Sequence, residues 1–193
     1  MEQKKLIALF GPSGCGKDTI KKNILNNNLN WNNIIPCTTR PKRANEKDGV
    51  NYYFLTNEEF TSSVLNGEML EAAEFNNWFY GTEEKRIKNN IINIGIFNIE
   101  GLTILLSVPS LKILPVYIHT DDKTRLIRAL SREEVPNCTE ICRRFLADKK
   151  DFSQCDFPEE TFVFNNNTDS HKYSNYLGEE IVEYAKIFFD GQK

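Results

Sequence analysis

The apolar residues of the chain come in short blocks that alternate with segments of helical spacing. Lys4–Phe10 is a compact apolar run that ends at Gly-Pro, and this pattern predicts a buried strand. Residues 17–28 carry apolar side chains at helical spacing, and Ile34–Cys37 predicts a second, short strand. Because strands and helices alternate in this way along the chain, we predict an α/β fold with three layers and a mainly parallel sheet.

The segment 36–82 departs from this alternation, because several short strands cluster there. Strands are predicted at residues 52–55 and in the stretches EMLEAAEF and WFYG. Thr56 and Glu59 form a capping-box pattern that opens a helix between these strands. Thr82 is predicted to cap the helix that follows. We therefore predict that 36–82 is an inserted, small β-rich subdomain.

The rest of the chain returns to the alternating pattern and completes one domain over 1–193. The core is predicted to comprise 1–35 and 83–193, with two arginine-rich helices near 125–150. The remaining elements predicted there are strands at 91–99, 111–120 and 161–164 and helices at 101–107, from 121, at about 139–150 and at 171–188.

Composition narrows the classes of partner and location. The length of 193 residues, 40% of them hydrophobic, suits a single core, and the net charge of −3 gives no basis for a nucleic-acid partner. The apolar stretches are shorter than the roughly 18 residues of a membrane span, and the first residues lack a signal-peptide pattern. We therefore expect a cytoplasmic protein without a membrane partner. Five cysteines without ligand spacing predict reduced thiols and no protein-built metal site.

A phosphate-binding loop is predicted between the first strand and the first helix. Spaced glycines let backbone N–H groups turn toward an anion, and Lys17 adds a positive charge for the β- and γ-phosphates of a nucleotide. Asp18 stands where the usual pattern has a hydroxyl that ligates magnesium. We expect this carboxylate to point outward and hold magnesium through water, with Thr19 supplying a hydroxyl one position later. The predicted loop comprises Gly11, Pro12, Ser13, Gly14, Cys15, Gly16, Lys17, Asp18 and Thr19.

A second set of polar residues predicts an acceptor site. Arg40 and Arg43 flank a proline in a polar loop, and guanidinium forks at this spacing suit a dianionic phosphate. Tyr52 and Tyr80 each offer a hydroxyl to the same phosphate. Glu71 lies in apolar surroundings and suits two N–H donors on the edge of a planar base.

Three stretches of the chain together resemble guanylate kinases. GPSGCGK, TTRPKRANEKDGVNYYFLTNEEF and EMLEAAEFNNWFYGT follow the order of that family and nearly its spacing. The resemblance is strong over 5–82 and weaker over 91–165. It implies a P-loop NTPase-type core, an inserted nucleoside-monophosphate-binding subdomain and a helical lid. It also implies that ATP, with Mg²⁺, phosphorylates GMP or dGMP in a cytoplasmic monomer or homodimer.

The resemblance also implies roles for individual residues. Arg40, Arg43, Tyr52 and Tyr80 match acceptor-phosphate contacts, while Glu71 and Thr82 match residues that face guanine. In the lid, Arg132 and Arg144 match arginines that clamp the transferring group, although the alignment also allows Arg143. The stretch FNN at 164–166 corresponds to a segment near the adenine of ATP. The predicted catalytic residues are Lys17, Arg40, Arg132 and Arg144.

Two departures from the family pattern keep other functions open. Pro36 stands where the family has a base-contacting serine, although Cys37 follows. Ile96 and Asn98 replace two aspartates, and Glu100 replaces a glutamine. Ribose 1,5-bisphosphate phosphokinases, which are relatives, share the GKD of the loop and lack the paired aspartates. A third reading is a guanylate-kinase-like binding module without catalysis, although such modules usually lose the loop glycines and lysine that this chain keeps.

Overall fold

The structure is a computed structural model that describes residues 3–43, 46–75, 77–132, 134–168 and 171–191. Its strands are β1 (Lys4–Phe10), β2 (Asn32–Asn33), β3 (Cys37–Thr38), β4 (Tyr53–Phe54), β5 (Met69–Phe75), β6 (Trp78–Glu83), β7 (Ile92–Ile96), β8 (Leu111–His119) and β9 (Phe162–Asn165). Its helices are α1 (Lys17–Asn27), α2 (Asn57–Leu65), α3 (Ile99–Leu106), α4 (Asp122–Leu130), α5 (Cys138–Ser153) and α6 (His171–Asp190). None of the helices in these described ranges is long and apolar enough to span a membrane.

The strands form two sheets. The larger has the order β2-β7-β1-β8-β9, and its pairs β2–β7 and β8–β9 are parallel. The smaller has the order β4-β3-β6-β5. This mixed α/β architecture with a parallel central sheet confirms the predicted fold class. The chain divides into two compact units, unit 1 (Met1–Leu6 with Asn30–Ile113) and unit 2 (Ile7–Leu29 with Leu114–Lys193).

The smaller sheet lies entirely in unit 1. Its β5–β6 hairpin is antiparallel and places Glu71 opposite Thr82. β3 pairs antiparallel with β6 and parallel with β4. The predicted capping box is confirmed: Thr56 Oγ1 accepts the Glu59 N–H at 3.1 Å, and Glu59 Oε2 accepts the Thr56 N–H at 2.8 Å. These bonds satisfy two N–H groups that the first turn of α2 leaves open.

Two local predictions for this region were wrong. No helix follows Thr82, because β6 continues through Thr82 to Glu83 and only a 3₁₀ turn at Glu84–Arg86 comes next. Pairing with β5 outweighs the local capping signal. The strand predicted at Ile34–Cys37 is also interrupted. Pro36 has no N–H for a ladder, and Cys37 instead pairs with Gly81 in the smaller sheet.

Unit 2 surrounds the end of β1 with helices. β1 is fully buried from Leu6 to Leu9, as its apolar run predicts. In α1 the buried residues are Ile20 and Ile24, and α6 contacts this helix where a Cβ on Gly178 would lie 3.4 Å from Ile24. Ile181 of α6 is also fully buried. The loop from β1 to α1 is therefore anchored at both ends by buried elements.

Candidate functional site

The loop at 11–16 in unit 2 has a positive φ at each of its three glycines, Gly11, Gly14 and Gly16. Gly14 and Gly16 have φ values of 81° and 95°, in the left-handed region. A Cβ on Gly14 would lie 2.9 Å from the backbone oxygen of Arg125, and one on Gly16 would overlap the amide of Asn166. The spacing of glycines in the sequence therefore corresponds to positions where the loop backbone requires a positive φ.

The first turn of α1 meets this loop without a side-chain cap. Gly16 is the N-cap residue and offers no side chain, so the first N–H groups of α1 remain uncapped. Such a helix start binds anions, because its N–H groups and the helix dipole both favour negative charge. Among the predicted loop residues, Pro12 and Cys15 are buried, Gly11, Gly14, Gly16 and Lys17 are partly buried, and Ser13, Asp18 and Thr19 are exposed.

Lys17 is folded back onto the loop. Its Nζ donates to the carbonyl oxygens of Gly11 at 2.6 Å and Pro12 at 3.0 Å. The ammonium group is therefore held at the loop by neutral acceptors. The carbonyl of Cys15 is held in turn by Asn166, whose Nδ2 donates to it at 2.8 Å. Both ends of the loop thus have defined partners.

The donors available for a divalent cation are few and exposed. No group of three or more His, Cys, Asp or Glu side chains that could hold a metal occurs in the described ranges. Mg²⁺ commonly needs only one or two carboxylates, because substrate phosphates and waters complete its shell. The exposed Asp18 carboxylate and Thr19 hydroxyl, both in the first turn of α1, fit this requirement.

In unit 1, Arg40 follows β3 and is mostly buried. Its Nη2 pairs with Glu46 Oε1 at 2.7 Å, and its Nη1 donates to the Pro41 carbonyl at 2.7 Å. Burial lowers the pKa of Arg40, but contacts with Glu46 and Tyr80 outweigh it and raise the pKa above its ordinary value. The guanidinium lies 5.4 Å from the centre of the Tyr52 ring. Arg40, Tyr52 and Tyr80 are thus brought together, as the sequence predicts.

Glu46 also connects this group to the second predicted arginine. Its Oε2 accepts the backbone N–H of Arg43 at 2.9 Å, and the Arg43 side chain is exposed. The rings of Tyr52 and Tyr80 meet edge to face at 6.0 Å. Glu46 was not predicted as a site residue. The sequence did contain a signal for Glu46, because this acidic residue lies three positions after Arg43, and Arg43 lies three positions after Arg40.

Glu71 and Thr82 form a buried polar pair on the β5–β6 hairpin. Glu71 is 6% exposed and Thr82 is fully buried. Burial raises the pKa of Glu71 to about 7, with the nearby Thr82 hydroxyl opposing the rise and Glu100 adding to it. Even so, the Thr82 hydroxyl completes no hydrogen bond with any residue that the structure describes. Buried polar groups in this state are rare unless a ligand engages them.

The start of α3 closes one side of this pair. A Cβ on Gly101 would lie 2.8 Å from Glu71 Oε2, so a larger residue at this position would displace the carboxyl. Asn98 caps α3 by accepting the Gly101 N–H at 2.7 Å. Asn98, which stands where the family has an aspartate, therefore acts as the N-cap of this helix. Glu100 is exposed and contributes negative charge near Glu71.

The other positions of departure have structural roles. The Pro36 carbonyl accepts the Tyr53 N–H at 2.9 Å, and Ile96 is the last residue of β7. Cys37 is fully buried, and its burial, together with Glu83, raises the pKa of its thiol to about 12. A neutral thiol at this position is a weak hydrogen-bond donor at best.

Two of the arginines considered for the lid, Arg143 and Arg144, pair with one carboxylate in α5. Glu140 accepts from Arg143 Nε at 2.7 Å and from Arg144 Nε at 2.6 Å. The Arg143 contact, with that of Arg144, lowers the pKa of Glu140 to about 2. Arg144 is partly buried and Arg143 is exposed, while Arg132 is exposed just after α4. Arg143 and Arg144 thus share one carboxylate partner, and the choice between them stays open.

Comparison with known proteins identifies similar chains. The family model described as guanylate kinase matches residues 3–177. The guanylate kinase of Mycoplasmoides gallisepticum is 30% identical over 191 residues, which cover 95% of this chain and 94% of that protein. The guanylate kinase of Carboxydothermus hydrogenoformans is 32% identical over 72% of this chain and 78% of that protein.

A shorter and a structural match complete the comparison. The guanylate kinase of Malacoplasma penetrans is 44% identical over 108 residues, which span only 50% of this chain and 55% of that protein. The crystal structure of guanylate kinase from Anaplasma phagocytophilum has a TM-score of 0.70 and 20% identity, covering 95% of this chain and 87% of the other. At that identity the structural likeness supports the fold.

Proposed function

The chain belongs to the guanylate kinase family, and from this premise we propose that it transfers the γ-phosphoryl group of ATP to GMP and dGMP. The observation that carries the choice of guanine is the Glu71–Thr82 pair, a buried carboxyl beside a hydroxyl that completes no hydrogen bond. Each substrate has its own half-site, ATP on unit 2 and the nucleoside monophosphate on unit 1. The predicted subdomain at 36–82 remains part of this proposal, supported by the separate sheet β4-β3-β6-β5.

The base is read by charge and hydrogen bonding. The edge of guanine presents N1–H and a 2-amino group, two donors that suit one ionised carboxylate. Adenine presents an acceptor at N1. The lone pair of that nitrogen would be repelled by the Glu71 carboxylate and would have no donor to accept from. Thr82 supplies a further polar contact from the same hairpin. The discrimination therefore comes from buried groups that only guanine satisfies.

The acceptor phosphate is held by Arg40 and Arg43, with the hydroxyls of Tyr52 and Tyr80 beside them. Glu46 keeps the Arg40 fork in place before the substrate binds, and a guanidinium has further N–H donors to offer. Because this preorganisation is already present, little side-chain entropy remains to be lost on binding. The acceptor oxygen is an anion at neutral pH, so no general base is needed.

The donor phosphates bind the loop in unit 2. Uncapped N–H groups at the start of α1 face the β- and γ-phosphates, and Lys17 exchanges its carbonyl contacts for phosphate oxygens. Arg132 and Arg144 stabilise the negative charge that develops on the transferring group, with Arg143 as the alternative to Arg144. Phosphoryl transfer relies on positioning and charge neutralisation of this kind more than on covalent chemistry.

A nucleotide kinase of this family works with a divalent cation, and we propose Mg²⁺. When bound, Mg²⁺ neutralises charge on the β- and γ-phosphates. Asp18, through water, and the Thr19 hydroxyl are the residues of this chain that would hold it. The outward carboxylate also stays away from the phosphates, which it would repel at close range.

Asp18 is the observation that favours the alternative acceptor, ribose 1,5-bisphosphate. Asn98, which caps α3, favours the same alternative because it stands in place of an aspartate. The binding module without catalysis is disfavoured by the retained loop conformation and Lys17. A cytoplasmic location, a monomeric or homodimeric state and the lack of a nucleic-acid partner complete the proposal, supported by the family and the net charge of −3.

The decisive test is ADP release from ATP and Mg²⁺, with each acceptor supplied in turn. The set comprises GMP, dGMP, AMP, CMP, UMP, dTMP and ribose 1,5-bisphosphate. Turnover on GMP and dGMP alone is expected. Turnover only on the sugar bisphosphate would establish the alternative, and no transfer to any acceptor would leave a binding module.

A further inference from the structure

The peptide of Ser13 in the phosphate loop is held on both sides by side chains from distant helices. Its N–H donates to Asp148 Oδ2 at 2.7 Å, and its carbonyl accepts from Arg125 Nε at 2.9 Å. Arg125 Nη2 donates to the same Asp148 oxygen at 3.0 Å. Three hydrogen bonds thus close a ring that joins the loop to α4, which carries Arg125, and α5, which carries Asp148.

The two side chains of this ring are buried within unit 2. Arg125 is 5% exposed and Asp148 is 7% exposed. The remaining guanidinium nitrogen, Nη1, pairs with Asp122 at 3.2 Å, and the group lies 4.9 Å from the centre of the Phe145 ring. Every nitrogen of Arg125 therefore has a partner in the protein. Arg125 is not available to a phosphate, and the proposed transfer uses neither member of the pair.

The ring acts on the part of the loop that needs an unusual conformation. The backbone oxygen of Arg125 lies only 2.9 Å from where a Cβ on Gly14 would be, so α4 also contacts the residue after Ser13. A planar guanidinium is needed for this arrangement, since a lysine cannot donate to the Ser13 carbonyl and the carboxylate with the same fork. The pair therefore fixes the position of two consecutive loop residues.

We infer that Arg125 and Asp148 are positioning residues for ATP, which hold the phosphate loop in its binding conformation through the peptide of Ser13. This inference rests on the proposed function, because it takes the loop as the site of the ATP phosphates. Loss of the ring frees the loop, so part of the binding energy of ATP is then used to order it. Binding of GMP on unit 1 does not involve this loop and keeps its affinity.

The test separates positioning from folding stability. The double variant Arg125→Met with Asp148→Leu replaces both buried charges by apolar groups, a change that often leaves stability unaffected. We expect its Kd for ATP, measured by calorimetry with Mg²⁺, to rise about tenfold, which corresponds to the loss of about one hydrogen bond to a charged group. Its Kd for GMP is expected to stay within about twofold of the wild type, since the acceptor half-site is untouched.

Lys149→Met provides the matched control. Lys149 pairs with Asp122 at 2.8 Å and so also joins α5 to α4, but this pair is exposed and does not contact the loop. This variant should bind ATP like the wild type. A folded double variant with unchanged ATP affinity would overturn the inference, and so would equal losses for ATP and GMP.

A second variant covers the case in which the double variant does not fold. Asp148→Asn keeps the shape of the side chain but removes the charge that Arg125 and Ser13 contact, and it should weaken ATP while sparing GMP. Unchanged ATP affinity in this variant would also overturn the inference. Failure of the proposed function is distinguishable, because the wild type itself would then not phosphorylate GMP.

Discussion

The two proposed half-sites differ in how the protein itself satisfies their polar groups. In the phosphate loop, Lys17 donates to two carbonyls, and the peptide of Ser13 has side-chain partners on both sides. On the β5–β6 hairpin, Glu71 is buried with a raised pKa, and the Thr82 hydroxyl completes no hydrogen bond with described residues. In the loop, the ammonium group of Lys17 and the backbone groups of Ser13 thus have partners in the protein, whereas the hairpin buries a carboxyl beside a hydroxyl that completes no hydrogen bond.

This difference indicates two ways of preparing for a nucleotide. A phosphate is an anion that many proteins bind, so the loop needs shape, which its glycines and supporting contacts supply. A base must be told apart from similar bases, and buried groups that only one base satisfies give strong discrimination. The cost of that discrimination is a less stable free protein.

The largest effect is expected for Lys17→Ala in the loop. Without the ammonium group the β- and γ-phosphates lose a positioned charge, and kcat/KM should fall by about 10²–10³, as for other lost electrostatic contacts in active sites. Steady-state ADP release with GMP measures this fall. Lys22→Ala, an exposed lysine on the same helix, is the control. A loss as small as that of the control would contradict the role of Lys17.

The pH dependence of stability tests the hairpin. The pKa of Glu71 is about 7 in the folded chain against an ordinary value of 4.5. Between these pH values the folded chain holds a proton that the unfolded chain has released, so the free energy of unfolding falls as pH rises, by about 3 kcal/mol in total. Urea titrations of ligand-free wild type and Glu71→Gln from pH 4 to 8 measure it. If the free energy of unfolding depends on pH in the same way in both proteins, Glu71 does not destabilise the folded chain as pH rises.

Arg40→Ala tests whether the acceptor arginine matters beyond its pair with Glu46. Loss of the guanidinium should cost at least about 2–3 kcal/mol of transition-state stabilisation with GMP. Measured kcat/KM for GMP gives the value, and Kd for ATP should not change. Glu46→Gln should have a smaller effect, because Arg40 keeps its charge. A larger loss in Glu46→Gln than in Arg40→Ala would reverse these roles.

The smallest effect has opposite signs for stability and binding. Thr82→Val removes a buried hydroxyl without a partner at nearly constant shape, so the free protein should be unchanged or more stable, while GMP binding weakens by about 1 kcal/mol. Chemical denaturation and calorimetry with GMP measure the two quantities. Thr61→Val, on exposed α2, is the matched control. Equal destabilisation of the free and bound protein would show that Thr82 only packs.

Features encoded by neighbouring residues could be predicted from the sequence. The apolar run of β1, the capping box at Thr56 and the phosphate loop depend on contiguous residues, and the structure has all three. Thr82 misled the local reading because its partner Glu71 lies on another strand. From the local sequence alone, a threonine that caps a helix cannot be distinguished from a threonine in a hairpin strand.

The residues that support the site could not be predicted, since their partners are far away in sequence. Ser13 and Asp148 are separated by 135 positions, and no local pattern connects them. Glu46 lies in a loop rich in charges of both signs, where its pairing with Arg40 depends on the folded path. Sequence motifs thus propose candidate ligand-contacting groups, but they do not reveal the distant groups that hold those candidates in place.

The contacts of Lys17 with the Gly11 and Pro12 carbonyls also bear on the end of a catalytic cycle. When ADP leaves, the ammonium group does not remain bare, because the two carbonyls take it back. We therefore expect departure of the product to be easier than from an unaccompanied cation, and nucleotide affinity to be correspondingly moderate. Such contacts would favour rapid exchange of ADP for the next ATP over tight binding.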